Sequence, residues 1–310
     1  MNVKDVAVKN ILKRKLNAER IADENLNKVL QDERVKILFV KCKELVVEIA
    51  KLDIAGRSSK EKRDEYNKGR ELIAQYLKEM GVDKSTLKPN YSCDICKDTG
   101  YIGLKECECL KREYSKELIK LSGLNIEELP KFNDDYSMFS NPKVVAGIYS
   151  KMKTYIDEVT MSPYDIVLIV GDTGVGKTHL INCMVSYSLE KSLKVKYATA
   201  FNFNQEMLKY HVGKLEEKEY ILEPYLDADI LYIDDLGSEN KINNVTNEYL
   251  YLVINERMQK KKKTVITTNL DLGQIQEVYG ERIFSRLMHK LQSLKINFKG
   301  EDLRIKLKQK

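Results

Sequence analysis

Lys177 and Thr178 close an eight-residue run, Gly171-Asp172-Thr173-Gly174-Val175-Gly176-Lys177-Thr178, that reads G-x-x-x-x-G-K-T. Glycines at 171, 174 and 176 leave no side chain in the way of phosphates and allow backbone angles that other residues resist. The loop amides and the N-terminus of a following helix then point at the anion. In such a loop the lysine neutralises the β- and γ-phosphates of ATP and the threonine places its hydroxyl on Mg²⁺. His179 follows directly and joins the candidate nucleotide-binding set. The pattern has meaning only between a strand and a helix. Ile166 to Val170 is a short unbroken apolar run, and the residues after Thr178 keep apolar positions at helical spacing.

Two carboxylates, Asp234 and Asp235, end the apolar run ILYIDD. A strand delivering an acid beside the phosphate loop suits Mg²⁺, a hard ion that takes oxygen ligands. Asp234 is assigned to Mg²⁺. Asp235 is assigned to the attacking water, with a turn-capping role as the plain alternative and Glu239 as a rival. Asn269 ends VITTN, where an amide can contact the γ-phosphate or the water. Arg282 and Arg286, four apart on one helix face, are candidates to stabilise charge on transferring phosphoryl oxygens. An ion pair with Glu281 or Glu277 is the plain alternative. Arg304, in GEDLR, is a further phosphate-sensing candidate.

Cys93 and Cys96 form C-x-x-C, and Cys107 and Cys109 follow as C-x-C. Four thiolates in a turn-rich segment can close a tetrahedral Zn²⁺ site. Reduced structural cysteines are the alternative. Cys42 and Cys183 sit in apolar helical patterns and read as buried small hydrophobes.

The elements that must position these residues fall into an order. Residues 1 to about 85 show apolar positions at helical spacing, broken at Gly56-Arg57-Ser58-Ser59, with a serine placed to cap the second helix and Gly81 suited to its end. The cysteine segment and a charged helix come next, and Asn141-Pro142 opens another helix. From Ser162 strands and helices alternate, as in an α/β domain with a parallel sheet. The five strands are Ile166–Val170, Val195–Thr199, Asp229–Asp234, Thr264–Thr268 and Leu294–Phe298. Helices are expected over Phe201–Tyr210 and Val245–Met258. The division expected is a helical, zinc-binding domain over 1–125, a linker over 126–145 and an ATPase domain over 146–310.

With 310 residues, 32% of them charged and a net charge of +6, the chain permits nucleic-acid binding without arguing for it. No apolar run approaches the roughly 20 residues of a membrane span. The basic N-terminus lacks an apolar signal core, and clustered cysteines fit metal binding in a reducing compartment, so a cytoplasmic location is expected. Phe201, Phe203 and Tyr210, with Lys209 and Lys214 nearby, could stack single-stranded bases, although aromatics there are more often core. The Lys260–Lys263 run reads as a solvated helix C-terminus.

GDTGVGKTH, ILYIDDLGSE, VITTNL, GERIFSRLM and GEDLR together resemble the AAA+ ATPase domain of DnaC/DnaI-type replicative helicase loaders, over about residues 130–310. The cysteine knuckle followed by DTGYI is similar to the N-terminal half of that family. The resemblance implies a partner-stimulated ATPase that binds the hexameric replicative DNA helicase through its N-terminal domain, with slow turnover expected from Asp at 235. It would place the helicase on single-stranded DNA and let ATP hydrolysis control release. It also implies that Arg286 is an arginine finger acting in a self-oligomer, Arg304 the second sensor, Asn269 the first, and Asp234-Asp235 the acidic pair. Many AAA+ proteins carry Glu where Asp235 stands. The alternatives are an IstB-like transposition helper, to which the N-terminal cysteine domain is foreign, and a helicase-sequestering nucleotide-binding protein with little hydrolysis. A small-molecule kinase shares the loop, but no second polar cluster supplies an acceptor pocket.

Overall fold

A computed structural model describes residues 3–133 and 135–303. Arg304 therefore lies outside the described residues. The chain divides into two compact units, Lys9–Leu104 and Lys105–Lys310, the latter joined by Met1–Val8.

The first unit is helical. Helix α1 runs Val3–Val29, α2 Glu33–Ile54 and α3 Lys60–Glu79. Asp32 caps α2 by accepting from the Arg34 amide at 2.9 Å. Ser59 stands at the N-cap of α3, but its hydroxyl donates to Asp53 Oδ1 at 2.6 Å instead of accepting from a helix amide. The expected cap is thus a tie between α3 and the end of α2, reinforced by Arg63 on Asp53. Gly81, at φ +68°, ends α3 in the left-handed region. Helices α2 and α3 touch closely at Gly69, where a Cβ would sit 2.8 Å from Cys42 Sγ. One core cluster holds Val29, Val35 and Leu77, flanked by Ile73, Tyr76, Val82 and Leu87, and Ile11, Ala22 and Leu45 are also buried. Cys42 is buried, as its setting in an apolar stripe implies.

Strands β1 (Tyr101–Ile102) and β2 (Lys105–Glu106) form a minimal hairpin. Helix α4 (Glu108–Leu121) follows, with Cys107 at its N-cap. The sequence places α4 with the N-terminal domain, whereas the structure packs it in the second unit. Its Ser115 hydroxyl accepts from the Val195 amide at 2.8 Å, and Arg112 donates to Ser192 at 2.6 Å. Helix α5 (Pro142–Asp157) starts from the Asn141 cap.

The second unit is built on five strands. These are β3 (Ile166–Val170), β4 (Val195–Thr199), β5 (Ile230–Leu236), β6 (Lys263–Thr268) and β7 (Ser293–Asn297). All pair in parallel in the order β4-β5-β6-β3-β7. Strands covered on both faces must be apolar throughout, which is why they read as unbroken runs. Helix α6 (Lys177–Glu190) follows β3, α7 (Ala200–Val212) and α8 (Leu215–Asp227) follow β4, α9 (Thr246–Gln259) follows β5 and α10 (Leu272–Leu287) follows β6. One core, around Tyr149, Met152, Leu180 and Tyr232, lies on one face; a second, around Leu168, Phe203, Val253 and Ile283, lies on the other.

Phe203 is core, as aromatics in that segment more often are, while Tyr210 is half-buried and packs edge-on against Tyr249 at 5.2 Å and Phe201 is 50% exposed. The Lys260–Lys263 run is not simply a solvated helix end. Lys263 begins β6, is buried, and pairs with buried Asp165 at 2.8 Å, while Lys262 pairs with Asp229 at 2.9 Å. Among the described residues no helix is long and apolar enough to cross a membrane.

Candidate nucleotide site

The site lies where β3, β5 and β6 end and α6 begins. Loop 171–176 leaves β3, and Gly174 and Gly176 adopt φ of +81° and +103°. The glycines also admit neighbours from the same chain. A Cβ at Gly171 would stand 2.0 Å from the Phe298 carbonyl oxygen, and one at Gly174 would meet the Asp302 carboxylate at 2.0 Å. The loop is therefore pressed against the end of β7 and the segment after it as well as open to a ligand. Val175 is buried, so only its backbone faces the loop, while Asp172 and Thr173 are exposed.

A cleft of about 290 Å³ is lined by Thr173, Gly174, Gly176, Lys177, Thr178, His179, Asp235, Thr267, Asn269 and Leu303. Lys177 donates to the carbonyl oxygens of Gly171 and Asp172 at 2.8 and 2.7 Å and to Asn269 Oδ1 at 2.6 Å. Asn269 in turn donates to Asp235 Oδ1 at 2.6 Å. One amide thus links the loop ammonium to the second acid. Asp234 is buried and receives three hydroxyls: Thr178 at 3.4 Å, Tyr197 at 3.2 Å, and Thr267. Burial pushes its carboxyl up from the usual range, and the hydroxyls of Thr267, Thr178 and Tyr197 oppose that shift. His179 places Nδ1 2.8 Å from the Tyr149 hydroxyl, and burial holds its imidazole below the usual range.

Six sequence-nominated groups converge: the loop, Lys177, Thr178, Asp234, Asp235 and Asn269. Glu239 does not line the cleft; it accepts from the Gly237 amide at 2.9 Å and from the Tyr279 hydroxyl. Arg286 is also away from this cleft. It donates to Asn255 at 3.2 Å and Tyr251 at 3.1 Å, and Arg282 lies 4.4 Å from the Tyr251 ring centroid. Among the described residues neither arginine pairs with Glu281 or Glu277; Glu281 accepts from Gln276. Sequence reasoning missed Thr267 and Tyr197, because their role is visible only once β4, β5 and β6 lie side by side.

The cysteine segment supplies a separate, local cluster. The sulfurs of Cys93, Cys96, Cys107 and Cys109 all lie within 4.8 Å of one another. Lys97 and Asp98 take left-handed φ of 51° and 53°, which folds the C-x-x-C turn back on itself. The Gly100 amide donates to Cys96 Sγ at 3.3 Å and helps fix that sulfur in the turn. Asp98, buried, accepts from the Ser92 amide at 2.7 Å and braces the turn. An all-thiolate, compact, partly buried donor set fits Zn²⁺, which these four residues would hold as a structural ion.

A five-stranded parallel sheet with a P-loop, an acidic strand end and a polar residue ending the next strand defines an AAA+ type ATP-binding protein. The chain belongs to the IstB-like ATP binding protein family, whose model matches residues 150–310. Chromosomal replication initiator protein DnaA of Campylobacter jejuni is 32% identical over 127 residues, 41% of this chain and 28% of that protein. The chain thus spans under a third of the length of that relative. The insertion sequence IS5376 putative ATP-binding protein of Geobacillus stearothermophilus is 28% identical over 215 residues, 66% of this chain and 80% of that protein. Among solved structures, the DnaC helicase loader aligns with a TM-score of 0.41 and 21% identity, over 57% of this chain and 98% of that one.

Proposed function

We propose that this protein is an ATPase that loads the replicative DNA helicase onto single-stranded DNA, with hydrolysis controlling its release. The hydrolytic part rests above all on the Lys177–Asn269–Asp235 chain beside the Thr178–Asp234 pair. In this reading the loop amides and Lys177 take the β- and γ-phosphates. Thr178 and Asp234 would hold Mg²⁺, which would supply positive charge against that developing on the phosphates. Asp235 orients the attacking water and accepts its proton. An arriving γ-phosphate draws Lys177 off Asn269 Oδ1, and the Asn269 amide nitrogen, which donates to Asp235, donates its second hydrogen to a phosphate oxygen and so links occupancy to Asp235. Arg286, held on the surface by Tyr251 and Asn255, reaches the site of a neighbouring subunit. Arg304 acts as a second phosphate contact. Asp in place of Glu at 235 is one methylene shorter, which fits slow turnover raised by partners.

The partner assignment rests on the resemblance of the motifs and on the helical unit. That unit carries an apolar cavity of about 330 Å³, floored by Val35, Phe39, Ile73 and Leu77 and rimmed by Lys43, Arg70, Lys84 and Lys88. A groove of this kind suits docking of a protein helix. The second reading, a transposition helper, is favoured by the family match and by the insertion-sequence relative. The family match begins at 150 and leaves the helical unit and cysteine cluster outside it.

Turnover measured alone, with single-stranded DNA, and with helicase plus DNA separates the readings. We expect slow basal turnover raised by helicase and DNA together, and its loss in Lys177→Ala by at least about 100-fold. Stimulation by duplex DNA alone would favour the transposition helper. Tight ATP binding with no turnover under any condition would favour a sequestering protein.

A further inference from the structure

Adjacent residues on a regular strand point to opposite faces of the sheet. Asp234 and Asp235 nevertheless both serve the phosphate side: Asp234 accepts from Thr178, and Asp235 lines the cleft. The pairing of β5 with β6 shows how. Ile233 pairs with Ile266 and Leu236 with Thr268, so two residues of β5, the two acids, stand against one residue of β6, Thr267. This is a β-bulge, a device that re-aims side chains next to active sites. Asp235 takes φ +61°, which a non-glycine residue adopts only when its surroundings impose it.

Thr267 fills the bulge. It is fully buried, and its hydroxyl makes two bonds of opposite sense. It accepts from the Asp235 amide at 2.8 Å and donates to Asp234 Oδ1. A hydroxyl has one proton to give and lone pairs to receive, so this arrangement satisfies it with both acids at once. Tyr197 and Thr178 also reach Asp234, but of the three hydroxyls Thr267 is the one that bonds to both acidic residues.

We infer that Thr267 is a positioning residue for ATP hydrolysis: its hydroxyl holds the bulge that brings Asp234 and Asp235 to one reaction centre. The inference rests on the hydrolytic reading above and adds a residue to it. A methyl in place of the hydroxyl keeps the volume but leaves the Asp235 amide without its acceptor and Asp234 without one donor. Asp235 then relaxes toward regular strand geometry and swings away from the water it orients, while the phosphate loop keeps its shape.

The test compares wild type, Thr267→Val and Thr267→Ser in the full-length chain, measuring turnover, the Mg²⁺ concentration for half-maximal turnover, affinity for a fluorescent ATP analogue in EDTA, and the urea midpoint. Thr267→Val should lower kcat by about 100-fold, the loss typical of a misplaced reacting group. It should also raise the Mg²⁺ requirement and leave the EDTA affinity unchanged. Thr267→Ser should restore turnover and the Mg²⁺ requirement, whatever its effect on the urea midpoint. Unchanged kcat in Thr267→Val, or a kcat loss matched by an equal loss of analogue affinity and not rescued by serine, would overturn the positioning role while leaving the ATPase reading intact. A wild-type protein that binds the analogue but turns over no ATP with helicase and DNA present would overturn both.

Discussion

Arg257 is the largest side chain wholly removed from water, and it faces backbone oxygens, not an acid. It donates to the carbonyls of Tyr225 and Ala228 at 2.7 and 2.9 Å, to Lys263, and to the Thr264 hydroxyl at 3.0 Å. Burial pulls its guanidinium down to about 9. The group closes the last turn of α8 and the entry to β6 together through four hydrogen bonds from its rigid fork, a geometry that lysine cannot copy. Replacing it by methionine leaves those carbonyls without donors, so Arg257→Met should lose about 2–5 kcal/mol in urea unfolding. Nucleotide affinity should hold, because no atom of Arg257 lines the cleft. A loss below about 1 kcal/mol would mean that the cost of burying the charge cancels its bonds. Nothing in RMQKKKKT marks this arginine as different from its cationic neighbours. Its burial depends on α8, which the sequence does not disclose.

At the scale of elements, two glycines separate packing from backbone freedom. Gly171→Ala would drive a Cβ into the backbone at Phe298, which cannot step aside without breaking the β3–β7 pairing. Gly280, inside α10 at φ +81°, has open space within 4 Å of where a Cβ would stand, so alanine there strains only the backbone. Gly280, at φ 81° and ψ 167°, lies in a region that is essentially glycine's alone, so Gly280→Ala should cost about 1–3 kcal/mol and leave nucleotide affinity intact. Gly171→Ala should abolish ATP binding as well as destabilise; equal behaviour of the two in binding and melting assays would refute the distinction. The strands and the phosphate loop were legible because a strand buried on both faces leaves an unbroken apolar run, and because the loop pattern is long. Helix α8 was not, since Pro224 lies inside it and charged residues open it. Nor was the extent of α10, whose period Gly280 interrupts. The placement of α4 depends on Ser115 and Arg112 meeting the approach to β4, which no periodicity records. The bulge at Asp235 likewise arises from pairing between strands distant in sequence.

The whole molecule joins an ATP-binding unit of the IstB-like family to a helical unit with an apolar cavity, on whose α2 Ile37, Val47 and Ile54 are 64%, 54% and 87% exposed. In the proposed loader reading, nucleotide state governs a protein complex. The most direct test is the mass, by light scattering, of the protein mixed with the replicative helicase of its own host and ATP. Wild type, Lys177→Ala and a chain lacking residues 1–125 would be compared. The account predicts a complex of defined stoichiometry for wild type, released by single-stranded DNA with ATP. It predicts a complex that Lys177→Ala forms but does not release, and none without residues 1–125. No complex with wild type, together with tight binding to duplex DNA, would contradict it.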